Sequence, residues 1–174
     1  MSTLKYWSNK ESVESFKIKR ENDYFLTEKH LFNKISFKFN SVLDVGCATG
    51  NLINLLSTYS KRLDYTGIDI VEEQIRIAKK QHSKFRFINS DLLKYNFRRK
   101  FDLVNATGLI QHSANYKNII KKMINLSSKY VIFDIKISKL DKNFVNIKDS
   151  YIKVGSNKIP YIIFSQNMFN EELK

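Results

Sequence analysis

The sequence predicts an α/β fold, in which a doubly wound and mostly parallel sheet carries helices on both faces. From residue 42 onward, short apolar runs alternate with segments of helical period, the order expected of a parallel sheet covered by helices. The first of these runs ends in a glycine loop at residues 46–50. The 174 residues fit a single domain with one core. We therefore expect one globular unit spanning residues 1–174.

Five strand-like runs form the expected core, which occupies residues 39–139. The strands are predicted at residues 41–45, 63–69, 84–89, 101–106 and about 130–135. Helices are predicted after the first, second and fourth strands, because apolar residues recur there at the spacing of one helical face. These stripes are Leu52, Leu55, Leu56 and Tyr59; Val71, Ile75, Ala78 and His82; and Tyr116, Ile119, Ile120, Met123 and Ile124.

Residues 1–38 are predicted to form a helical cap. One or two amphipathic helices, interrupted near residues 21–23, are indicated by Val13, Phe16, Tyr24, Phe25, Leu31, Phe32 and Ile35. The cap either lies over the functional site as a lid or only covers an edge of the sheet.

In residues 140–174 the alternation of strand-like and helical segments gives way to polar residues followed by β-rich runs. Two β-rich runs, 150–154 and 159–165, flank Gly155, Ser156 and Asn157, which predicts a hairpin. Pro160 cannot donate to a strand ladder, so the second run is expected at an edge.

The charge balance favours an anionic partner but does not specify one. The net charge is +13 and the pI is near 9.7, values that raise the expectation of a nucleic-acid or anionic-membrane partner. The lysines are scattered, however, and the densest basic runs, 17–20 and 98–100, are too short for a polybasic tail. We expect solvated faces, so a nucleic-acid partner is not favoured.

Cys47 is the single cysteine, which excludes an internal disulfide and a cysteine metal cage. No cluster of histidines and carboxylates has the spacing of metal ligands, so no metal is expected. The first residues lack the apolar run of a signal peptide, and no stretch is long enough to cross a bilayer. These features predict a cytoplasmic protein without a membrane span.

The glycine loop distinguishes between three classes of ligand. Gly46 and Gly50 bracket a tight turn from strand to helix, and free amides at the start of that helix would favour an anionic group. A dinucleotide fingerprint requires glycines at its first, third and sixth positions, where this chain has Gly46, Ala48 and Asn51. A P-loop requires Gly-Lys followed by Ser or Thr, and no such triplet is present. Both classes are disfavoured.

Residues 44–52, DVGCATGNL, resemble motif I of the class I S-adenosylmethionine-dependent methyltransferases. That motif has an acidic residue, one spacer and then glycine at alternate positions, with Ala48 here in place of the middle glycine. The resemblance implies a Rossmann-like fold and S-adenosylmethionine as the cofactor. It also implies a set of cofactor contacts in this loop, namely Asp44, Gly46, Cys47, Ala48, Gly50 and Asn51. Read from the residues alone, Cys47 is a small buried hydrophobe rather than an activated nucleophile.

Three further segments are similar to that family in order and spacing. The resemblance implies that Asp69, with Ile70 after it, binds the ribose hydroxyls, since a carboxylate accepts two hydrogen bonds from a vicinal diol. It implies that Asp91 meets the adenine amino group and that Leu92 packs on the ring. Residues 105–112, NATGLIQH, resemble motif IV, which lines the site of methyl transfer and adds Thr107 and Gln111 to the cofactor contacts.

The family's sheet usually has seven strands, of which the last two form an antiparallel pair after a fifth helix. Residues 167–174 resemble only the start of that helix. Either the chain is truncated before the last strands, or the hairpin substitutes for the missing edge. We expect truncation.

A methyl acceptor that must lose a proton needs a general base, and His112 is the histidine placed for it at the end of the fourth strand. His30 lies in the predicted cap and His82 at a helix end. A structural role for His112 remains the alternative.

The motif IV segment disfavours two classes of acceptor. Enzymes that methylate the exocyclic amines of bases have an Asp or Asn followed by two prolines and an aromatic residue in this motif, and this segment lacks that pattern. It also lacks the cysteine that enzymes methylating carbon 5 of cytosine have there. The resemblance is to enzymes that act on sugars, lipids, quinones or other metabolites. Two alternatives stay open. One is an RNA methyltransferase that uses the positive charge. The other is an inactive cofactor-binding subunit that pairs, through an exposed sheet edge, with a second copy or a partner chain.

Overall fold

The computed structural model describes residues 7–8, 10–15, 24, 26–146, 148–154 and 157–172. Its central strands are β1 (Ser41–Val45), β2 (Asp64–Asp69), β3 (Arg86–Asn89), β4 (Phe101–Ala106) and β5 (Ser127–Phe133). They form one sheet in the order β3-β2-β1-β4-β5, and each neighbouring pair is parallel. The predicted parallel sheet is therefore confirmed.

Helices cover both faces of this sheet. They are α1 (Lys10–Ser15), α2 (Leu26–Ile35), α3 (Leu52–Tyr59), α4 (Glu72–Gln81), α5 (Tyr116–Leu126) and α6 (Gln166–Glu172). Side chains alternate across a strand, so Val42 joins one apolar cluster with α2, α3 and α4. Leu43 joins the opposite cluster with α5 and α6. The sheet is thus the middle layer of three, and the predicted doubly wound architecture is confirmed.

Most residues of the predicted helical stripes are buried, but Tyr59 and His82 are half-buried and one residue is exposed. In α5, the side chains of Tyr116, Ile119, Ile120 and Met123 face the core, but Ile124 is 55% exposed. Ile124 lies at the margin of the stripe, where it borders a shallow groove together with Phe169 of α6. The expectation that Ile124 contacts the core was wrong.

The bounds of three strands differ from the prediction, and the second strand differs only in beginning at Asp64 rather than residue 63. The third strand begins at Arg86 rather than residue 84, because the Phe85 amide donates to the His82 carbonyl and closes a turn. The fifth strand begins at Ser127 and ends at Phe133. It follows α5 without a loop, because Ser127 already pairs with Phe101 of β4.

The C-terminal region adds four short strands: β6 (Lys136–Ser138), β7 (Tyr151–Val154), β8 (Asn157–Pro160) and β9 (Ile163–Ser165). β7 and β8 pair antiparallel, with Tyr151 opposite Pro160, as the hairpin prediction required. The second predicted run is divided, however, since β9 leaves the hairpin and pairs parallel with β6. The chain turns away after Pro160 because the Ile162 amide donates to the Gln111 carbonyl.

The hairpin is a separate two-stranded sheet, so both of its strands are edges and Pro160 lies at an edge as expected. Within the described ranges, β7 and β8 do not pair with the central sheet. The alternative in which the hairpin replaces a missing edge of that sheet is therefore not what the structure shows. Helix α6 begins at Gln166, where a helix was expected.

Within its described residues, the predicted cap includes the helices α1 and α2, and α2 packs against the sheet face. Phe32 is fully buried there in the cluster with α3. Phe16, Phe25 and the expected interruption at residues 21–23 lie outside the described residues. Among the residues described, no helix combines the length and apolarity needed to span a membrane.

Candidate functional site

The carboxyl ends of β1, β2, β3 and β4 meet along one edge of the sheet. Asp44 lies beside Gly67 of β2 on one side and Asn105 of β4 on the other. Asp69 is in register with Asn89 of β3. Because parallel strands end at the same edge, residues that follow them converge there, and ligands of open α/β sheets bind at this position. The predicted site residues are therefore neighbours.

The glycine loop leaves β1 in a left-handed conformation. Gly46, Ala48 and Gly50 all have positive φ, at +71°, +48° and +80°. Glycine adopts this region freely, whereas alanine is strained there. The loop therefore retains the backbone that alternate glycines would give, although the middle position carries a methyl group.

The amides of this loop are occupied within the protein. The Gly46 and Cys47 amides donate to the Ile68 carbonyl at 2.8 and 3.2 Å, and the Gly50 amide donates to the Cys47 carbonyl at 2.8 Å. At the start of α3, the Ile53 amide donates to the Gly50 carbonyl at 3.1 Å. Free amides were expected at the start of α3, and there the Ile53 amide is used within the turn itself.

Asp69 ties the loop to the end of β2. Its Oδ2 accepts from the Ala48 amide and its Oδ1 from the Val71 amide, each at 2.9 Å. The side chain is 8% exposed, and burial raises its pKa against the opposing effect of these amides. A carboxylate has about four acceptor sites, so Asp69 keeps acceptor capacity for ligand hydroxyls.

Asp44 is the centre of a buried hydrogen-bond network. The Tyr65 hydroxyl donates to Oδ2 at 2.6 Å, and Asn105 Nδ2 donates to Oδ1 at 2.8 Å. Burial raises the pKa of Asp44 to about 6, although both hydrogen bonds act to lower it. Asn105 Nδ2 also donates to Thr107 Oγ1 at 3.2 Å, so the network joins the glycine loop to the segment after β4.

Ile70, Asp91 and Leu92 continue the site beside Asp69. Ile70 is a large apolar side chain that is 39% exposed, whereas Leu92 is 5% exposed. Asp91 Oδ1 accepts from the Leu93 amide at 2.8 Å, which fixes the turn after β3. An apolar side chain and two carboxylates therefore lie side by side at neighbouring strand ends.

Cys47 and Asn51 act locally within the loop. Cys47 is buried, and burial raises the pKa of its thiol well above the usual range, so it is not an activated nucleophile. Its Sγ would lie 2.6 Å from a Cβ added at Gly67, which shows how tightly it packs. Asn51 Nδ2 donates to Thr49 Oγ1 at 3.0 Å.

The segment after β4 closes over the loop. A Cβ added at Gly46 would lie 3.2 Å from Leu109 Cδ1, so Leu109 packs directly on the glycine. Two buried acceptor atoms, Asn105 Oδ1 and Gln111 Oε1, have no hydrogen-bond partner within the described part of the chain. A buried acceptor without a donor costs free energy, so each of these atoms has acceptor capacity that the described residues do not use.

His112 is held by the C-terminal hairpin. Its Nδ1 lies 2.9 Å from the Pro160 carbonyl oxygen. Because a carbonyl only accepts, Nδ1 donates the proton, which leaves the lone pair of the neutral ring on Nε2. Burial lowers the pKa of His112, while the bond to Pro160 and the charge of Asp134 act to raise it. A neutral ring with a basic Nε2 is the form that a general base requires.

Four residues of this region were not predicted. Tyr65 binds Asp44, and Asp134 accepts from the Gly108 amide and influences His112. Trp7 and Tyr161 place their rings against His112, with centroids 5.1 and 5.4 Å away. Tyr65 and Asp134 each lie in a predicted strand, so their positions in the sheet could have suggested that they lie near the site. Trp7 and Tyr161 are distant in sequence and carry no such signal.

Two surface cavities lie away from these strand ends. One of about 360 Å³ lies beside Tyr95 and Lys122, and one of about 420 Å³ lies between α5 and Phe169. Lys122 donates to the carbonyls of Leu93 and Tyr95, so its charge stabilises the loop after β3. Neither cavity includes the glycine loop.

Comparison with known proteins assigns the fold. A family model described as a methyltransferase domain matches residues 36–166. The putative methyltransferase 235L of Invertebrate iridescent virus 6 is 23% identical over 170 residues, which cover 95% of this chain and 61% of the viral protein.

Two solved structures share this architecture. One is the O-methyltransferase of a trans-AT PKS multienzyme of Brevibacillus brevis, in complex with S-adenosyl-L-homocysteine. It aligns with a TM-score of 0.71 at 18% identity, over 94% of this chain and 56% of that one. The plantazolicin methyltransferase BpumL in complex with SAH aligns with a TM-score of 0.61 at 21% identity, over 77% of this chain and 57% of that one. This chain thus spans about three fifths of the length of these relatives.

The family match covers well over half of the chain, and the sheet order, the glycine turn and the carboxylates at neighbouring strand ends agree with it. The cofactor of this family is S-adenosylmethionine. The chain therefore belongs to the methyltransferase domain family, and its fold is that of the class I S-adenosylmethionine-dependent methyltransferases.

Proposed function

We propose that this chain transfers a methyl group from S-adenosylmethionine to a hydroxyl or amine of a small-molecule acceptor. One observation carries the proposal: the left-handed turn at Gly46 lies beside Asp69, whose carboxylate is bonded to the Ala48 amide of that turn. A carboxylate next to a turn that has glycine at both ends and a small alanine between them suits a ribose attached to a chain that passes close to the loop.

The residues around this turn fit the other parts of the cofactor. The exposed Ile70 and the neighbouring Leu92 offer apolar surface to an adenine ring, and Asp91 is an acceptor for its amino group. The unpartnered Asn105 Oδ1 is an acceptor for the ammonium group at the other end. Thr107 and Gln111 complete the proposed contacts beside the transferred methyl group.

When bound, the cofactor supplies a methyl group that is already activated on a sulfonium. The protein has then to align the acceptor in line with the methyl carbon, and orientation supplies most of the rate enhancement. In the proposed step, His112 Nε2 takes the acceptor's proton. With the cofactor bound, the acceptor oxygen or nitrogen would bond to the methyl carbon, and the sulfur would keep the electron pair of the carbon–sulfur bond that is given up.

The proposed acceptor class is supported by the relatives and by the motif IV segment. The solved relatives are named for a PKS multienzyme and for plantazolicin, and residues 105–112 lack the prolines and the cysteine of base-modifying enzymes. The net charge of +13 is the argument for an RNA acceptor. Binding of RNA that weakens steeply with salt would favour that alternative.

Isothermal titration with S-adenosylmethionine, S-adenosylhomocysteine and NAD tests the cofactor. We expect heat from the first two and none from NAD. Asp69→Ala is expected to weaken binding by about 1 to 3 kcal/mol through the loss of charge-assisted hydrogen bonds. The matched control is Asp64→Ala at the other end of β2, where the carboxylate only pairs with the exposed Arg99. The proposal would be contradicted if the two variants weakened binding equally, or if neither S-adenosylmethionine nor S-adenosylhomocysteine gave binding heat.

A further inference from the structure

The imidazole of His112 lies between two aromatic rings from opposite ends of the chain. The Trp7 ring meets it edge to face, with centroids 5.1 Å apart and an angle of 71°. The Tyr161 ring lies 5.4 Å away at 58°. His112 is 7% exposed, whereas both flanking rings are half-buried. Among the described residues, these two rings therefore flank the imidazole on which the proposed base activity depends.

The position of Tyr161 is fixed by two main-chain contacts on either side of it. The carbonyl of Pro160 accepts from His112 Nδ1 at 2.9 Å, and the amide of Ile162 donates to the Gln111 carbonyl at 2.7 Å. The backbone of residue 161 is itself bonded to Ser150 at the start of the hairpin. The backbone of Tyr161 is thus held beside His112 by hydrogen bonds on both sides.

Resting on the function proposed above, we propose that the acceptor is a planar aromatic compound with an ionisable hydroxyl, bound against Tyr161 and His112 in the position held here by the Trp7 indole. The indole is itself a flat ring with one N–H donor, so it shows what the position accommodates. Aromatic walls favour flat rings, because edge-to-face and offset contacts add to apolar burial.

The chemistry of the base favours the same class. A buried neutral imidazole is a weak base, since burial lowers the pKa of His112. A phenolic hydroxyl, with a pKa of about 10, is far easier for it to deprotonate than an aliphatic hydroxyl, whose pKa is well above that and close to the pKa of water. Gln111, the residue before the base, is 5% exposed and its Oε1 has no partner among the described residues. It can accept from a second donor on the acceptor ring.

Trp7 is the single tryptophan of the chain, so its fluorescence reports on this position directly. The full chain, with S-adenosylhomocysteine present or absent, is titrated with phenol and with cyclohexanol, which has the same size but no aromatic ring. Excitation at the red edge of the indole absorption avoids exciting phenol. We expect phenol to displace the indole and change its emission spectrum, and cyclohexanol to leave the spectrum unchanged.

Variants of two tyrosines in the same region sharpen the test. Tyr161→Leu is expected to weaken phenol binding roughly tenfold, while Tyr161→Phe, which keeps the ring, restores it. Tyr151→Leu is the matched control, because Tyr151 is 40% exposed and contacts Lys158 rather than His112. Circular dichroism confirms that each variant is folded.

Equal responses to phenol and cyclohexanol, or equal effects of Tyr161→Leu and Tyr151→Leu, would overturn this inference alone if S-adenosylhomocysteine still binds. If the unmodified chain did not bind S-adenosylhomocysteine, the proposed function would be overturned, and this inference with it. The two failures are therefore distinguishable in one set of titrations.

Discussion

The hydroxyl of Tyr65 donates a 2.6 Å hydrogen bond to Asp44 Oδ2 in the interior of the protein. Tyr65 is 1% exposed and Asp44 is 4% exposed. Asn105 Nδ2 completes the arrangement from the neighbouring strand. A carboxylate on β1 is thus satisfied by the strands on either side, and its protonation is linked to the stability of the fold.

Stability should depend on the protonation of Asp44. Its pKa is about 6 in the folded protein, against an ordinary value of 3.8, so the folded state holds a proton that the unfolded state has released. Its contribution to stability is fully present below pH 3.8 and is lost as pH rises through 6, a change of about 3 kcal/mol. Asp44→Asn cannot ionise and should lose less stability across this window, as measured by urea unfolding at several pH values.

Tyr65→Phe provides the complementary measurement. It removes a hydrogen bond that lowers the pKa of Asp44, so the loss of stability should extend to higher pH. At neutral pH the variant should be about 1 to 3 kcal/mol less stable, because a buried acceptor loses its donor. Parallel pH profiles for Tyr65→Phe and the unmodified chain would contradict this account.

Gly67→Ala should destabilise the fold through overpacking. A Cβ there would lie 2.6 Å from Cys47 Sγ and 2.9 Å from Phe87 Cδ1. Such crowding costs about 1 to 3 kcal/mol in a packed core, which thermal or urea unfolding would measure. The double variant Cys47→Ala with Gly67→Ala should recover part of the loss, because the sulfur is removed. Strict additivity of the two changes would show that the sulfur is not the obstacle.

His112 should set the acid limb of the pH–rate profile. Its pKa lies below the ordinary 6.5 because of burial, so methyl transfer should rise with pH through a value below 6.5 and then level off. Asp134→Asn removes a charge that raises this pKa, so the limb should move to lower pH. His112→Ala should slow transfer by about a hundredfold. The pKa of His112 can be measured independently from its ring signal by NMR. If Asp134→Asn lowered that pKa but left the acid limb of the pH–rate profile unshifted, His112 would not be the group that sets the limb.

Ala48→Gly should stabilise the glycine loop. At φ +48° an L-residue is strained by about 1 to 2 kcal/mol, and the entropy of glycine in the unfolded chain offsets about 0.5 to 1 kcal/mol of the relief. A net gain of up to about 1.5 kcal/mol in urea unfolding is expected, with the Asp69 contact to this amide retained. Ala48→Val should be clearly less stable. A loss of stability in Ala48→Gly would mean that the alanine methyl makes a contact that outweighs its strain.

The central sheet could be predicted because its signals are local. The apolar run at β1, the glycines after it and the stripe of α5 each lie within a few residues of the feature they determine. Asp69 and Asp91 could be placed for the same reason, since Asp69 ends β2 and Asp91 lies two residues after the end of β3. The exposed Ile124 shows the limit, because periodicity places it on the stripe but does not say how wide the neighbouring surface is.

The surroundings of His112 could not be predicted in this way. Trp7 and Tyr161 reach the imidazole through tertiary packing, and the contact of His112 with Pro160 spans 48 residues of sequence. The division between β8 and β9 has the same origin, since the Ile162 amide is drawn to Gln111. The sequence around residue 162 does not indicate that its amide will bond to a carbonyl about 50 residues earlier in the chain.

The bond between His112 and the Pro160 carbonyl also has a consequence for the order of events during synthesis. The glycine loop and the first four strands are complete by residue 106, so a ribosome-bound chain can assemble that part of the sheet while the hairpin is still untranslated. The imidazole acquires its defined tautomer only after residue 160 has emerged. On the proposed function, a nascent chain would hence form the strands proposed to hold the cofactor well before the proposed base was in place.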